Sequence, residues 1–145
     1  MAVAAVDTNV LVARVSARDI NHDAACAIVD AADHGKLPTM RVTNYVLTET
    51  LNYIHERQHH HVAVTFYERL TEAAGFELVH SAKADFSQAV ELFEQYEGLS
   101  FGDATIAAYM MREEIEYLYS FDTDFEAIDD LTRLDTATNP FKPGE

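Results

Sequence analysis

Two short apolar runs in this chain end directly in acid. Ala2–Val6 runs into Asp7, and Tyr117–Phe121 runs into Asp122. A run of four or five apolar residues is too short for a buried helix and suits a strand covered on both faces. Between these runs, helical patterns alternate with further short apolar segments. The spacing predicts helices over 10–15, 24–32, 44–58, from about 62 to 74, 86–96 and 103–114. It predicts strands at 40–43, 76–79 and 132–135. Gly35, Gly75 and Gly98 punctuate helix ends, and Asn44 reads as a helix cap. Such alternation predicts an α/β fold: a three-layer sandwich with a central, mainly parallel sheet flanked by helices. No repeat, linker or composition break divides the chain, and its 145 residues predict a single domain over 1–145.

In a parallel sheet, ligands collect beyond the carboxyl ends of the strands. Asp7 and Asp122 therefore fall on one sheet edge, with Asp124 close by. Asp103 opens a helix in which Ile106, Ala107, Met110 and Met111 follow at i+3, i+4, i+7 and i+8, so its carboxylate heads the buried stripe. Glu49 lies between Tyr45 and Tyr53, beside the Leu47–Leu51–Ile54 stripe, where partial burial is expected. Singly, each acid has an ordinary use as a helix cap, a turn former or a solvated side chain. Gathered together, four carboxylates repel one another unless a divalent cation neutralises them. All-oxygen ligation suits Mg²⁺ or Mn²⁺ better than zinc, and such ions polarise a phosphodiester and activate water.

Val6–Val12, Thr48–Thr50, Leu99–Ala104 and Ser120–Phe125 resemble, in order and spacing, the four signature segments of PIN-domain ribonucleases. At this length the chain is most similar to the VapC-type toxin of a toxin–antitoxin pair. The resemblance implies Mg²⁺- or Mn²⁺-dependent endonucleolytic cleavage of single-stranded or structured RNA. It assigns Asp7, Glu49, Asp103 and Asp122 to the metal-binding and catalytic quartet, and Thr8, Asn9 and Ser120 to supporting polar positions. Asp124 shares or replaces the role of Asp122; the two alternatives stay open. It also implies a small antitoxin partner and a homodimer. Helices near 8–15 and 44–58 are expected to present Val12, Val15, Tyr45 and Tyr53 for pairing.

Charge sets this chain apart from the pattern. Asp and Glu total 25 against 10 Lys and Arg, a net charge of −15. The lysines are Lys36, Lys83 and Lys142 alone. Such a surface repels phosphate backbones at low ionic strength. At ~1 M salt the Debye length falls to ~3 Å and self-repulsion is screened, so the composition points to a halophilic host. Arg14, Arg18, Arg41 and Arg112 are the bases in or near the signature segments, and Arg14, Arg18 and Arg112 are the candidates for RNA contact.

His55-Glu56-Arg57-Gln58-His59 matches H-E-x-x-H, in which two histidines one helical turn apart hold zinc. His60 and His61 follow at once, and no third ligand is evident downstream. A polar helix end is the expected use, a zinc protease the rival. A PIN-like protein that holds RNA or a partner without cutting, and an RNA-processing nuclease without an antitoxin, are further rivals. Cys26, among alanines, is expected to be a small core residue, as are Tyr109, Met110 and Met111. The segment from Asn139 reads as a loose end. One cysteine, no leader-like start and no apolar run of membrane length predict a cytoplasmic protein with no membrane contact.

Overall fold

The computed structural model describes residues 2–142. The elements follow as β1 (Val3–Val6), α1 (Thr8–Val15), α2 (His22–Asp33), β2 (Thr39–Thr43), α3 (Asn44–Arg57), α4 (His60–Glu72), β3 (Phe76–Val79), α5 (Lys83–Gln95), α6 (Phe101–Glu113), β4 (Tyr117–Tyr119), a 3₁₀ turn (Thr123–Ala127) and β5 (Thr132–Leu134). The sheet order is β3-β2-β1-β4-β5, with every pairing parallel. Ala4, Ala5 and Val6 are buried in succession, which requires cover on both faces of β1. That cover comes from helices: α1 packs on α2 and α3, α3 on α4 and α6, and α5 on α6. The expected α/β sandwich is the observed one. Among the described residues no helix is long and apolar enough to cross a membrane.

The strand order reverses at β1. After β1 the chain builds outward through β2 and β3, then returns to place β4 on the other side of β1. A crevice opens beyond the carboxyl ends of two neighbouring parallel strands at such a reversal. Here those strands are β1 and β4, and the residues leaving them are Asp7 and Ser120–Asp122.

Several local expectations change. Thr43, not Asn44, caps α3: its hydroxyl accepts from Val46 N at 3.2 Å, while Asn44 Oδ1 accepts from Ser81 N at 2.8 Å. Ser100 caps α6, which places Asp103 at the third helical position rather than the first. The buried stripe of α3 is Val46–Thr50–Ile54, one position away from the Leu47–Leu51 stripe. Met111 is exposed at the end of α6, while Tyr109 and Met110 are core. Cys26 is half-buried, with Sγ 3.5 Å from His22 Nε2. The segment from Asn139 is fastened rather than loose. Tyr119, fully buried, donates its hydroxyl to Thr138 O at 2.6 Å, Asn139 Nδ2 donates to Lys36 O at 3.0 Å, and Phe141 meets Tyr117 edge-on. Residues 143–145 of that segment lie outside the described residues.

Gly75 carries the turn into β3, and its carbonyl accepts from Met40 N at 2.9 Å. A Cβ there would lie 2.1 Å from the carbonyl oxygen of Ala32, at the end of α2. Backbone on both sides leaves no flexible atom to yield. Gly75→Ala is therefore expected to cost roughly 2–3 kcal/mol in urea denaturation. A midpoint matching wild type would mean that β3 steps away from α2 freely.

Candidate active site

Asp7 is the residue through which β1 becomes α1. Its N–H donates to Tyr119 O at 3.0 Å, continuing the ladder to β4. Its Oδ1 accepts from Thr8 N at 2.7 Å, and its Oδ2 from the Ser120 hydroxyl at 2.7 Å. The residue is 5% exposed. Burial pushes its carboxyl up to about 6, helped by the charges of Asp122 and Glu49 and opposed by the Ser120 and Thr8 hydrogen bonds.

Ser120, fully buried, uses its hydroxyl completely. It donates to Asp7 and accepts from Asp122 N at 3.0 Å and Asn9 Nδ2 at 3.3 Å. Asn9 returns the bond by accepting from Phe121 N at 3.2 Å. The exits of β1 and β4 are thus one hydrogen-bonded unit. Asp122 caps the 3₁₀ turn, accepting from Asp124 N at 2.9 Å.

Asp103 comes from the opposite wall. Its backbone N–H donates to Ser100 Oγ at 3.1 Å, and its Oδ2 accepts from Ser100 N at 3.4 Å. This reciprocal cap points the carboxyl toward the crevice. Burial, then the charges of Asp7 and Asp122, then a hydrogen bond with Asp122, push its carboxyl up to about 7. Asp124 is exposed, and Asp122 raises its carboxyl too.

Glu49 is exposed as a residue, not partly buried as the sequence suggested, yet its carboxylate end is enclosed. A Cβ on Gly102 would lie 2.8 Å from Glu49 Oε1. Desolvation raises this carboxyl. Gly102 is a residue whose role sequence reasoning missed: it makes room for Glu49 beside α6. The neighbouring Thr8 hydroxyl oxygen is buried and without a hydrogen-bond partner.

The arginines stand elsewhere. Arg14 is about 10 Å along α1 from Asp7, and Arg112 about 14 Å along α6 from Asp103, at 1.5 Å per residue. Arg112 grips the buried Asp85 at 2.6 and 3.1 Å, and Arg41 is held by Glu77 at 2.8 Å and Glu113 at 2.9 Å. Arg18 is exposed in the turn after α1. Arg133, unremarked in the sequence, donates to Ser120 O at 3.1 Å.

The H-E-x-x-H stretch is broken in the middle. α3 ends at Arg57 and His59 caps α4, so His55 and His59 do not share a helix. Both are exposed.

Acids from β1, α3, α6 and the β4 exit therefore converge on one crevice, and a PIN-domain family model matches residues 4–131. The chain belongs to the PIN-domain family. The PIN fold is shared with the crystal structure of VapC20 of Mycobacterium tuberculosis, a toxin that cleaves the sarcin–ricin loop. That likeness has 26% identity and a TM-score of 0.74, over 95% of this chain and 99% of that one. VapBC2 of Rickettsia felis, bound to a promoter DNA fragment, is similar at 15% identity and TM-score 0.67, over 91% and 97% of the two chains. DNA-bound VapBC of Salmonella typhimurium is similar at 11% and 0.70, over 93% and 98%. No curated protein sequence is a significant match.

The donor set of this PIN domain is oxygen throughout. Burial raises the carboxyls of Asp7 and Asp103, and the neighbouring acids add to the shift. Those are the properties a hard divalent cation needs. Among the described residues, no three His, Cys, Asp or Glu side chains are closed around a single ion-sized point.

The raised carboxyls make the metal-free protein sensitive to pH. In the unfolded chain aspartate titrates near 3.9. Between about pH 4 and about pH 7 the folded state therefore holds more protons than the unfolded one, so stability falls as pH rises and levels off above that window. For Asp7 the loss is on the order of 2–3 kcal/mol. In EDTA, Asp7→Asn is expected to match or exceed wild-type stability at pH 7.5 and to lose that advantage toward pH 4. Thermal melts across the pH series check it; a mutant deficit that is the same at every pH would mean that the carboxylate is not strained.

Proposed function

We propose that this PIN domain is an endoribonuclease that uses Mg²⁺ or Mn²⁺ and serves as the toxin of a toxin–antitoxin pair. The supporting observation is the convergence of Asp7, Asp103 and Asp122 at the β1/β4 crevice, where burial raises the carboxyls of Asp7 and Asp103. The likeness to a sarcin–ricin-loop-cleaving toxin over nearly the full length of both chains points the same way.

Asp7, Asp103 and Asp122 would hold the ion, with Glu49 binding directly or through water and Asp124 as the alternative to Asp122. Bound there, the ion supplies Lewis acidity to the phosphodiester and to the attacking water. The protein's own part is orientation. Thr8 N and the Ser120 hydroxyl each take one oxygen of Asp7, so the carboxylate cannot rotate freely. Asn9 fixes Ser120, and Ser100 fixes Asp103. Water adds to phosphorus as the bond to the 3′ oxygen breaks, leaving a 5′-phosphate and a 3′-hydroxyl. With few free cations nearby, affinity for RNA is left to contacts other than phosphate pairing, and moderate salt helps by screening the net charge of −15.

The surfaces offered to partners differ in part from the residues expected on α1 and α3. Val12 is buried within the chain, and Val15, Tyr45 and Tyr53 are half-buried. Among the exposed apolar residues, Phe86, Val90 and Phe93 lie together along α5, with Phe101 edge-on to both phenylalanines. A second copy of the chain would cover that face. A groove of about 730 Å³ runs between α1, α2 and α4, lined by Val15, Val29, Val62, Phe66, Arg14 and Arg69. Arg14 Nε is buried there without an acceptor, which suits an antitoxin segment that brings apolar side chains and a carboxylate.

The test is cleavage of a sarcin–ricin-loop hairpin and of an unstructured RNA with Mn²⁺ or Mg²⁺. Asp7→Asn and EDTA are each expected to lower the rate at least 100-fold, while His59→Ala leaves it unchanged. Activity that persists in EDTA would remove the metal from the mechanism. Zinc bound stoichiometrically and lost in His59→Ala would favour the protease. Gly102→Ala is expected to melt like wild type, because only the flexible end of Glu49 must move, and to cut at least tenfold more slowly; full activity would separate Glu49 from the site. Light scattering from ~0.1 to ~3 M salt, spanning Debye lengths of about 10 Å to below 3 Å, tests the dimer. A monomer throughout, with Phe93→Glu behaving as wild type, overturns it.

A further inference from the structure

The loop carrying Asp122 and Asp124 leaves β4 at Ser120, passes through the 3₁₀ turn and enters β5. Attachments before and after Asp122 converge on one side chain of β5. Arg133 Nη1 donates to Ser120 O at 3.1 Å. Its Nε and Nη2 donate to Glu126 Oε1, in the 3₁₀ turn, at 3.2 and 2.8 Å. Nη1 also reaches Asp135 Oδ2 at 3.3 Å. The Arg133 side chain is only 12% exposed, although its partners Glu126 and Asp135 reach into solvent, so the bond to the Ser120 carbonyl is the most protected of the four.

We propose that Arg133 is a positioning residue that clamps the Asp122 loop against the end of β4 and so sets the geometry of the metal ligands. The inference rests on the metal-site reading above. Ser120 is the hinge between the two halves of the site. Its hydroxyl is bonded to Asp7 and Asp122 N on the crevice side, and its carbonyl to Arg133 on the other. Glu126 lies four residues beyond Asp122, so one guanidinium holds the loop on both sides of the ligand. The planar fork is what permits this, since a lysine ammonium has no rigid pair of donors to span a carbonyl and a carboxylate. Arg133 also meets its charge partners away from the crevice. Glu126 and Asp135 take the cation, and Asp122 is left available for a metal. A cation aimed at Asp122 itself would compete with the ion. Placed behind the loop, it stiffens the ligand without occupying its place. Partners bonded directly to a ligand typically change metal affinity about 10- to 100-fold when lost; Arg133 acts one step further out, through the Ser120 carbonyl and Glu126, so the low end of that range is its ceiling.

The experiment measures Mn²⁺ binding by equilibrium titration, with free Mn²⁺ read by electron paramagnetic resonance, in the full chain without RNA. R133M is expected to raise the Mn²⁺ Kd about three- to tenfold, and R133K to fall between R133M and wild type. In the D122N background, adding R133M is expected to change the Kd less than it does in wild type, because the ligand on the clamped loop is already lost and only the effect through Ser120 on Asp7 remains. Thermal melts in EDTA run alongside; should R133M fail to fold, R133K carries the comparison. An unchanged Kd in both Arg133 variants, or a full independent loss on top of D122N, overturns the proposal and leaves Arg133 a structural clamp only. Wild-type protein that binds no Mn²⁺, or binds it equally well after Asp7→Asn, overturns instead the metal-site reading on which the proposal stands.

Discussion

The Ser120 hydroxyl on Asp7 is the contact around which the rest of this PIN domain is organised. The two residues are 113 apart in sequence, and each leaves the end of a central strand. Their bond works only because β1 and β4 are neighbours, which in turn requires the chain to cross back after building β2 and β3. A serine hydroxyl has one proton and two lone pairs, and all three are used here within about 3.3 Å. The exits of the two strands therefore move as one body, and the acids that follow them keep a common orientation.

Electrostatics then divides the molecule into two regimes. Near the crevice, burial disfavours the charged carboxylates and neighbouring acids add to this, so Asp7 and Asp103 hold protons more tightly than ordinary aspartates. Away from it, the arginines are matched: Arg112 with buried Asp85, Arg41 with Glu77 and Glu113, Arg133 with Glu126 and Asp135. Three of the ten Lys and Arg of this chain are thus engaged in holding the fold rather than in neutralising the crevice acids. Stability is given up at the crevice in exchange for a place where a cation would be welcome. Such local strain is a common property of functional sites.

Much of this was legible before any coordinates. The short apolar runs ending at Asp7 and Asp122, the helical stripe behind Asp103 and the acidic signature segments all depend on neighbours close in sequence. Other features were not legible, for physical reasons. Helix starts shifted because Thr43 and Ser100 compete with Asn44 and Asp103 for the same capping donors, and local sequence does not rank them. The H-E-x-x-H pattern assumed a continuous helix, but α3 stops at Arg57 and the second histidine caps α4. The exposed apolar face moved from α1 and α3 to α5 because burial depends on what packs opposite, which periodicity does not reveal. Arg133 carried no signal at all: an isolated arginine in a short edge strand looks like any solvated charge.

The sequence by itself determined the alternation of strand and helix, the membership in the PIN-domain family and the kinds of atom offered at the strand ends, because these follow from local periodicity and side-chain chemistry. The tertiary structure decided which acids meet, which arginines are free and which apolar residues stay wet. Those depend on contacts between residues as distant as Asp7 and Ser120 or Arg112 and Asp85. Parallel strand pairing brings such partners together only after the chain has crossed over, and the crossover is a property of the whole sheet rather than of any segment within it.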